Sequence, residues 1–201
     1  MSLRLANGAS YSVNINCDLG EGLANDAKLM PYLHACNIAC GGHAGDKSSI
    51  HQTVKLARAH NVLIGAHPSF PDRENFGRAA MEISADDLVI SLVQQINAVR
   101  DECIAQGTKL HHVKTHGALY NMMLHDADLQ QVVIEAVCAV DDSLLLYAPP
   151  SFTSKRLQVV AEGFADRAYL ADGSLMPRTQ DGAVITDAAQ ALVQAQTLDC
   201  Q

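Results

Sequence analysis

The sequence predicts a parallel β/α barrel, and three observations carry that reading. Strand-like and helix-like segments alternate five or six times along 201 residues, without hairpin signals between the strands. Polar groups recur on one strand face, at Asn14, Asn16, Asn37 and Lys114, whereas the middle of a doubly wound sheet, covered by helices on both sides, is apolar on both. Ionisable groups also stand at successive strand ends, where barrel enzymes place their chemistry. The length suits one sizeable domain, and no linker, low-complexity tract or internal repeat divides it.

The first strand covers 13–18 and alternates strictly: Val13, Ile15 and Cys17 on one face, Asn14, Asn16 and Asp18 on the other. A loop with glycines at 20 and 22 follows, then a short helical turn over 28–33. The second strand runs from 35 to 43, with Asn37, Ala39, Gly41 and His43 sharing a face. A helix over 48–60 carries Ile50, Val54 and Ala57 at helical spacing. The third strand, 62–67, stops at Pro68 and leads into a polar loop over 69–78. Ser84 and Asp87 have the spacing of a capping box; the helix they open runs to about 106, with Leu88, Leu92, Ile96, Val99 and Cys103 as its stripe and Gly107 as its end. The strand over 111–116 puts His112, Lys114 and His116 on one face. Beyond it the pattern predicts a helix over 128–140, a buried strand over 144–147, a helix over 154–162, strands at 165–170 and at Val184-Ile185, and a helix over 188–197.

Composition excludes several classes. Apolar residues make up 48% and charged residues 18%, the balance of a folded chain with a large core. A net charge of −8 with no basic patch excludes nucleic acid as a partner. No apolar run reaches the length of a membrane span and the N-terminus lacks a signal-peptide pattern, so a cytoplasmic protein is expected. The six cysteines are spread through apolar segments, which predicts reduced, buried thiols. There is no Cys-x-x-Cys, no His-Glu-x-x-His, no Walker loop and no Gly-x-Gly-x-x-Gly.

The strand ends offer Asp18, His43, His67 and His116, with Lys114 one step deeper. One strand-end histidine is usually a hydrogen-bonded filler; four consecutive strands delivering ionisable groups to one rim predict a site. These five are the candidate catalytic residues. The imidazoles suit general acid–base work, and Lys114 suits a developing oxyanion or a phosphate. Alternatively Asp18, His43 and His67 ligate a divalent metal, as one carboxylate and two imidazoles can. Glu21, Gly41 and Gly42 lie in loops able to face an anion, and Arg73 and Arg78 can grip a carboxylate or phosphate in bidentate fashion. Asp166 and Arg167 suggest an internal salt bridge.

Several blocks carry a family resemblance. They are Asn16-Cys17-Asp18-Leu19-Gly20-Glu21-Gly22, Asn37-Ile38-Ala39-Cys40-Gly41-Gly42-His43-Ala44-Gly45-Asp46, Gly65-Ala66-His67-Pro68-Ser69-Phe70-Pro71-Asp72 and Phe76-Gly77-Arg78. Two more are His112-Val113-Lys114-Thr115-His116-Gly117-Ala118-Leu119-Tyr120 and Phe164-Ala165-Asp166-Arg167-Ala168-Tyr169. Together they resemble the LamB/YcsF family over nearly the whole chain. The resemblance implies a TIM-like barrel of the glycoside hydrolase/deacetylase type. It also implies the A component of an ATP-dependent 5-oxoprolinase, opening the lactam of 5-oxo-L-proline to L-glutamate with ATP as co-substrate and subunits B and C as partners; a homo-oligomer is compatible with it. The chain departs from the family at Gly42, usually aromatic, and at Thr115, usually proline. It stops before the strand that carries the family's Cys-x-His-Gly-Asp motif. The expectation is therefore a single barrel domain over 1–201 without that last unit. Two other functions fit the residues: a metal-dependent amide or N-acetyl hydrolase, and a non-catalytic subunit that binds a small molecule.

Overall fold

The structure, a computed structural model, describes residues 2–4, 10–12 and 14–199. Val13 of the first expected strand and Cys200 lie outside the described residues. The chain divides into two compact units, one ending at Ala161 and the other beginning at Glu162.

The first unit opens with β1 (Ser2–Arg4), paired antiparallel with β2 (Ser10–Ser12). This pair corrects the expectation of no hairpin-like pairing. A curled six-stranded sheet follows: β3 (Asn16–Leu19), β4 (Ala35–Ala39), β5 (Leu63–His67), β6 (His112–Lys114), β7 (Leu145–Ala148) and β8 (Val159–Ala161). Every neighbouring pair is parallel and the strands lie side by side in sequence order. A doubly wound sheet reverses direction at a switch point; this order never does, and it makes the wall of a β/α barrel.

Between the strands come α1 (Asp26–Leu29) with a 3₁₀ turn at Met30–Tyr32, α2 (Lys47–His60), α3 (Ala85–Ala105), α4 (Gly117–Met122) and α5 (Ala127–Val140). Asp46 and Ser49 close a reciprocal capping box on α2. The Ser84 side chain accepts the Asp87 amide on α3, as the spacing predicted. The predicted stripes are the buried ones: Ile50, Val54 and Ala57 on α2, and Leu88, Leu92, Ile96, Val99 and Cys103 on α3. The short α4 is the one helix of this unit that the pattern missed, because six residues show no full period.

Residues 154–162 do not form the expected helix. The Ser154 hydroxyl accepts the amides of Arg156 and Leu157, a local turn that competes with helix, and the β-branched Val159 and Val160 then pair with β7. The second unit holds α6 (Ala188–Asp199), as expected. Its predicted strands reduce to two antiparallel bridges, Arg167 with Val184 and Tyr169 with Leu175. Arg167 donates to the carbonyls of Ala183 and Met176. Among the described residues five cysteines are unbonded, and Cys36, Cys40 and Cys103 are buried. No described helix is long and apolar enough to cross a membrane.

The polar strand face is real, and its groups pair with one another. Asn37 Nδ2 donates to Asn16 Oδ1 at 2.7 Å and to Asp18 Oδ1 at 2.8 Å. His112 Nε2 donates to Asn37 Oδ1 at 2.7 Å, and its ring stacks on Tyr147 with centroids 4.0 Å apart. Gly65 sits in register between Asn37 and His112, and a Cβ there would collide with the His112 ring. Glycine is thus the condition for a histidine inside the barrel wall.

Two outcomes follow. Gly65→Ala costs roughly 3 kcal/mol in urea unfolding, because the His112 ring has no room to move. Burial, reinforced by the charges of His111 and Lys114, pushes the His112 ring down from 6.5 to about 3. Between those values the unfolded state binds the extra proton, so stability falls with falling pH by up to about 1.4 kcal/mol per pH unit from this group. Denaturation from pH 7 to 4.5 shows a slope reduced by that amount in His112→Gln.

Candidate active site

The carboxyl ends of β3 to β6 bring the five candidate catalytic residues together. Asp18 Oδ1 lies 3.3 Å from Lys114 Nζ, and Asp18 Oδ2 lies 3.3 Å from His67 Nε2. Lys114 also donates to Asn16 Oδ1 at 3.3 Å. Burial works to raise the Asp18 carboxyl, but the charges of His67 and Lys114 and the hydrogen bonds from His67 and Asn37 outweigh it and hold the group well below the usual carboxylate range. Asp18 is thus an anion, a third exposed with its side chain at 31%.

Three imidazoles cover it. His67 Nδ1 donates to the Lys114 carbonyl at 2.7 Å, and His67 Nε2 lies 3.0 Å from His116 Nδ1. His116 Nε2 donates to the Phe76 carbonyl at 3.0 Å. The His43 ring stacks on His116, with centroids 3.7 Å apart and planes within 7°. Burial pushes His116 down to about 2, with the His67 and His43 charges acting the same way. Burial also lowers His43, although its hydrogen bond to Glu21 pulls the other way. His43 donates through Nε2 to Glu21 Oε1 at 3.0 Å, while its Nδ1 is buried without a partner among the described residues.

Glu21 therefore joins the cluster, 3.7 Å from His116 Nδ1. The compact ligand set is Glu21, His43, His67 and His116, whose ligand atoms all lie within 4.8 Å of one another. That set differs from Asp18, His43 and His67 by placing Asp18 outside and Glu21 and His116 inside. The cause is the loop after β3, where Gly20 and Gly22 take positive φ and the Gly20 amide is held by Asp26 Oδ2.

Arg73 and Arg78 take other partners. Arg73 Nη1 donates to the carbonyls of Gly41 (3.1 Å) and Gly45 (2.8 Å), closing the loop that presents His43. The Arg78 guanidinium lies over the Phe76 ring, 5.0 Å from its centroid. The Gly41 amide is taken by the Ala44 carbonyl. Gly42 faces Gln95 and Ser69, whose side chains a Cβ would strike.

Two residues escaped the sequence reading. Gln95, buried on α3, accepts the Ser69 amide at 3.0 Å and donates to the Ser69 carbonyl at 2.9 Å, fixing the turn after His67. Its signal was a polar side chain three residues after Leu92, inside an apolar stripe. Phe76 stands in one of the resemblance blocks, but no local pattern marked its conformation, because a positive φ on a bulky residue is set by the surrounding loop.

A parallel sheet in sequence order, with its ionised groups at the carboxyl ends, is the layout on which β/α-barrel enzymes build their sites. Within that class the sequence relatives are specific. The LamB/YcsF family profile matches residues 13–200, and the chain belongs to this family. The A subunit of 5-oxoprolinase from Symbiobacterium thermophilum is 42% identical over 204 residues, covering 96% of this chain and 78% of the relative. Its counterpart from Bordetella pertussis is 43% identical over 194 residues, covering 91% and 77%. The crystal structure of a lactam utilization protein from Thermus thermophilus superposes with a TM-score of 0.84 at 38% identity, covering 90% of this chain and 78% of that one.

Gln95→Leu leaves the Ser69 amide and carbonyl without partners. A loss of about 2 kcal/mol is expected, read by urea unfolding together with faster amide exchange at Ser69.

Proposed function

We propose that this chain is the A component of an ATP-dependent 5-oxoprolinase, acting with B and C subunits to open 5-oxo-L-proline to L-glutamate. The shared name of relatives above 40% identity carries the reading, and the charged rim gives it a chemistry. A five-membered lactam is a poor electrophile. Phosphorylating its oxygen with ATP draws electrons from the ring carbon, so that water can add there. The ring C–N bond then breaks as nitrogen takes a proton, and hydrolysis of the resulting acyl phosphate releases glutamate and phosphate. In this scheme His67, held by Asp18, supplies the proton to nitrogen, and Lys114 faces the developing negative charge. His116, His43 and Glu21 receive the proton from water, with Glu21 nearest the mouth at 14% exposure. Five unbonded cysteines among the described residues suit the reducing cytoplasm, where this reading places the protein.

One observation favours a second reading, a metal-dependent amide or N-acetyl hydrolase: the converging ligand atoms of Glu21, His43, His67 and His116. The donor set fits a divalent ion. Two of its histidines donate their remaining ring N–H to backbone carbonyls, as ligating histidines do. Those four residues would hold the ion, which would supply a Lewis acid for the amide oxygen.

The full complex of this chain with the B and C subunits is expected to release glutamate only with ATP, and Lys114→Ala or His67→Ala in that complex to lower kcat/KM on the order of 100-fold. Hydrolysis by the isolated chain without ATP, with a stoichiometric ion found by elemental analysis and lost together with activity on chelation, would select the second reading.

A further inference from the structure

We propose that Phe76 is a positioning residue, whose backbone carbonyl, aimed by a left-handed conformation, fixes His116 as its Nε2–H tautomer and leaves Nδ1 as the lone pair facing His67. The inference rests on the reading of this rim as the reaction site.

A carbonyl only accepts, so the 3.0 Å contact from His116 Nε2 to Phe76 O puts the proton on Nε2. Nε2 is committed to that carbonyl in a buried ring stacked on His43, where a second proton is costly, so Nδ1 is the bare nitrogen. That lone pair sits 3.0 Å from His67 Nε2. At His67 the Lys114 carbonyl plays the matching part, taking the Nδ1 proton at 2.7 Å. Two carbonyls thus bracket the pair, one on each ring, and leave His67 Nε2 and His116 Nδ1 as the nitrogens that face each other.

The carbonyl of Phe76 is aimed at a cost. Its φ is 55°, a conformation that bulky side chains rarely adopt and that persists only where neighbours hold it. Here they do. Asp72 Oδ1 accepts from the Asn75 amide and side chain, and the Gly77 amide bonds the Asp72 carbonyl at 2.7 Å. The Gly77 carbonyl in turn accepts the Ala118 amide at 2.9 Å, tying this loop to the segment that carries His116. There is no slack above the imidazoles, since a Cβ on Gly77 would lie 2.9 Å from His43 Cβ and 3.2 Å from His116 Cδ2. The Phe76 ring packs edgewise on His43 and His116, with centroids 5.1 and 5.4 Å away. Ring and carbonyl are therefore separable: a small residue that tolerates positive φ keeps the carbonyl and loses the ring.

The test is long-range ¹⁵N NMR of the histidines in the intact chain, with His116 assigned by its loss in His116→Gln. The wild type is expected to show His116 as the Nε2–H tautomer. Phe76→Gly and Phe76→Asn, which reach the left-handed region, should retain it. Phe76→Val, β-branched and excluded from that region, should show mixed tautomers. In the full complex with ATP, kcat of Phe76→Val should fall on the order of 100-fold with little change in KM, and Phe76→Gly should keep at least about ten times the kcat of Phe76→Val. A wild-type Nδ1–H tautomer overturns the proposal, as does a folded Phe76→Val with unaltered tautomer, or loss of the tautomer in Phe76→Gly. The wild-type and glycine spectra decide the matter even if Phe76→Val does not fold. If the 5-oxoprolinase reading itself fails, the wild-type complex releases no glutamate while the tautomer stands.

Discussion

An ionised carboxylate among the strand ends is the constraint on which the rest of the rim depends. Desolvation penalises such a charge heavily, and it is tolerated only with opposite charge and hydrogen-bond donors close by. Asp18 has Lys114 Nζ and His67 Nε2 each at 3.3 Å and Asn37 Nδ2 at 2.8 Å. Those partners come from β6, β5 and β4, so the four strands must hold one register for the charge to be met. The register runs Asp18 beside Asn37, Asn37 beside Gly65 and Gly65 beside His112. A slip of one residue would turn each of these side chains toward the helices.

The loops above the sheet complete what the strands begin. Arg73 holds the turn that presents His43, Gln95 holds the turn after His67, and Phe76 O holds His116. Each contact anchors a backbone segment or a ring, and the anchored parts are the imidazoles and the loops that carry them. Backbone carbonyls decide which ring nitrogens carry protons. In a water-poor site, with the His43 side chain at 0% exposure, those protons do not exchange positions freely. The same pinned lone pairs can face a proton or a cation, which is why acid–base and metal chemistry share these residues.

Much of the first unit was legible in the residues. The stripe from Leu88 to Cys103, the Ser84 cap and the polar alternation of Asn16, Asp18, Asn37 and Lys114 are local patterns, and each matches its element. The gathering of Asp18, His43, His67 and His116 was legible for the same reason: parallel strands in sequence order bring their ends to one rim. Long-range partners were not. Val159 and Val160 became a strand because β7 offered an open edge, against a helix suggested by local sequence. The contacts of Arg73 with two carbonyls and of Arg78 with the Phe76 ring were not legible either, because a guanidinium carries no record of the groups it will meet.

By itself, the sequence determined the alternation of elements, the polar wall of the barrel and the identity of the groups at its rim, all set by periodicities of two and 3.6 residues. Tertiary structure alone decided that Glu21 enters the cluster, that Asp18 stands outside the compact ligand set, and that His67 Nε2 and His116 Nδ1 face each other. Those outcomes depend on hydrogen bonds between segments distant in the chain, such as Phe76 with His116 and Lys114 with His67. No local pattern encodes them, because a backbone carbonyl is present at every residue and only the fold chooses which ones a histidine meets.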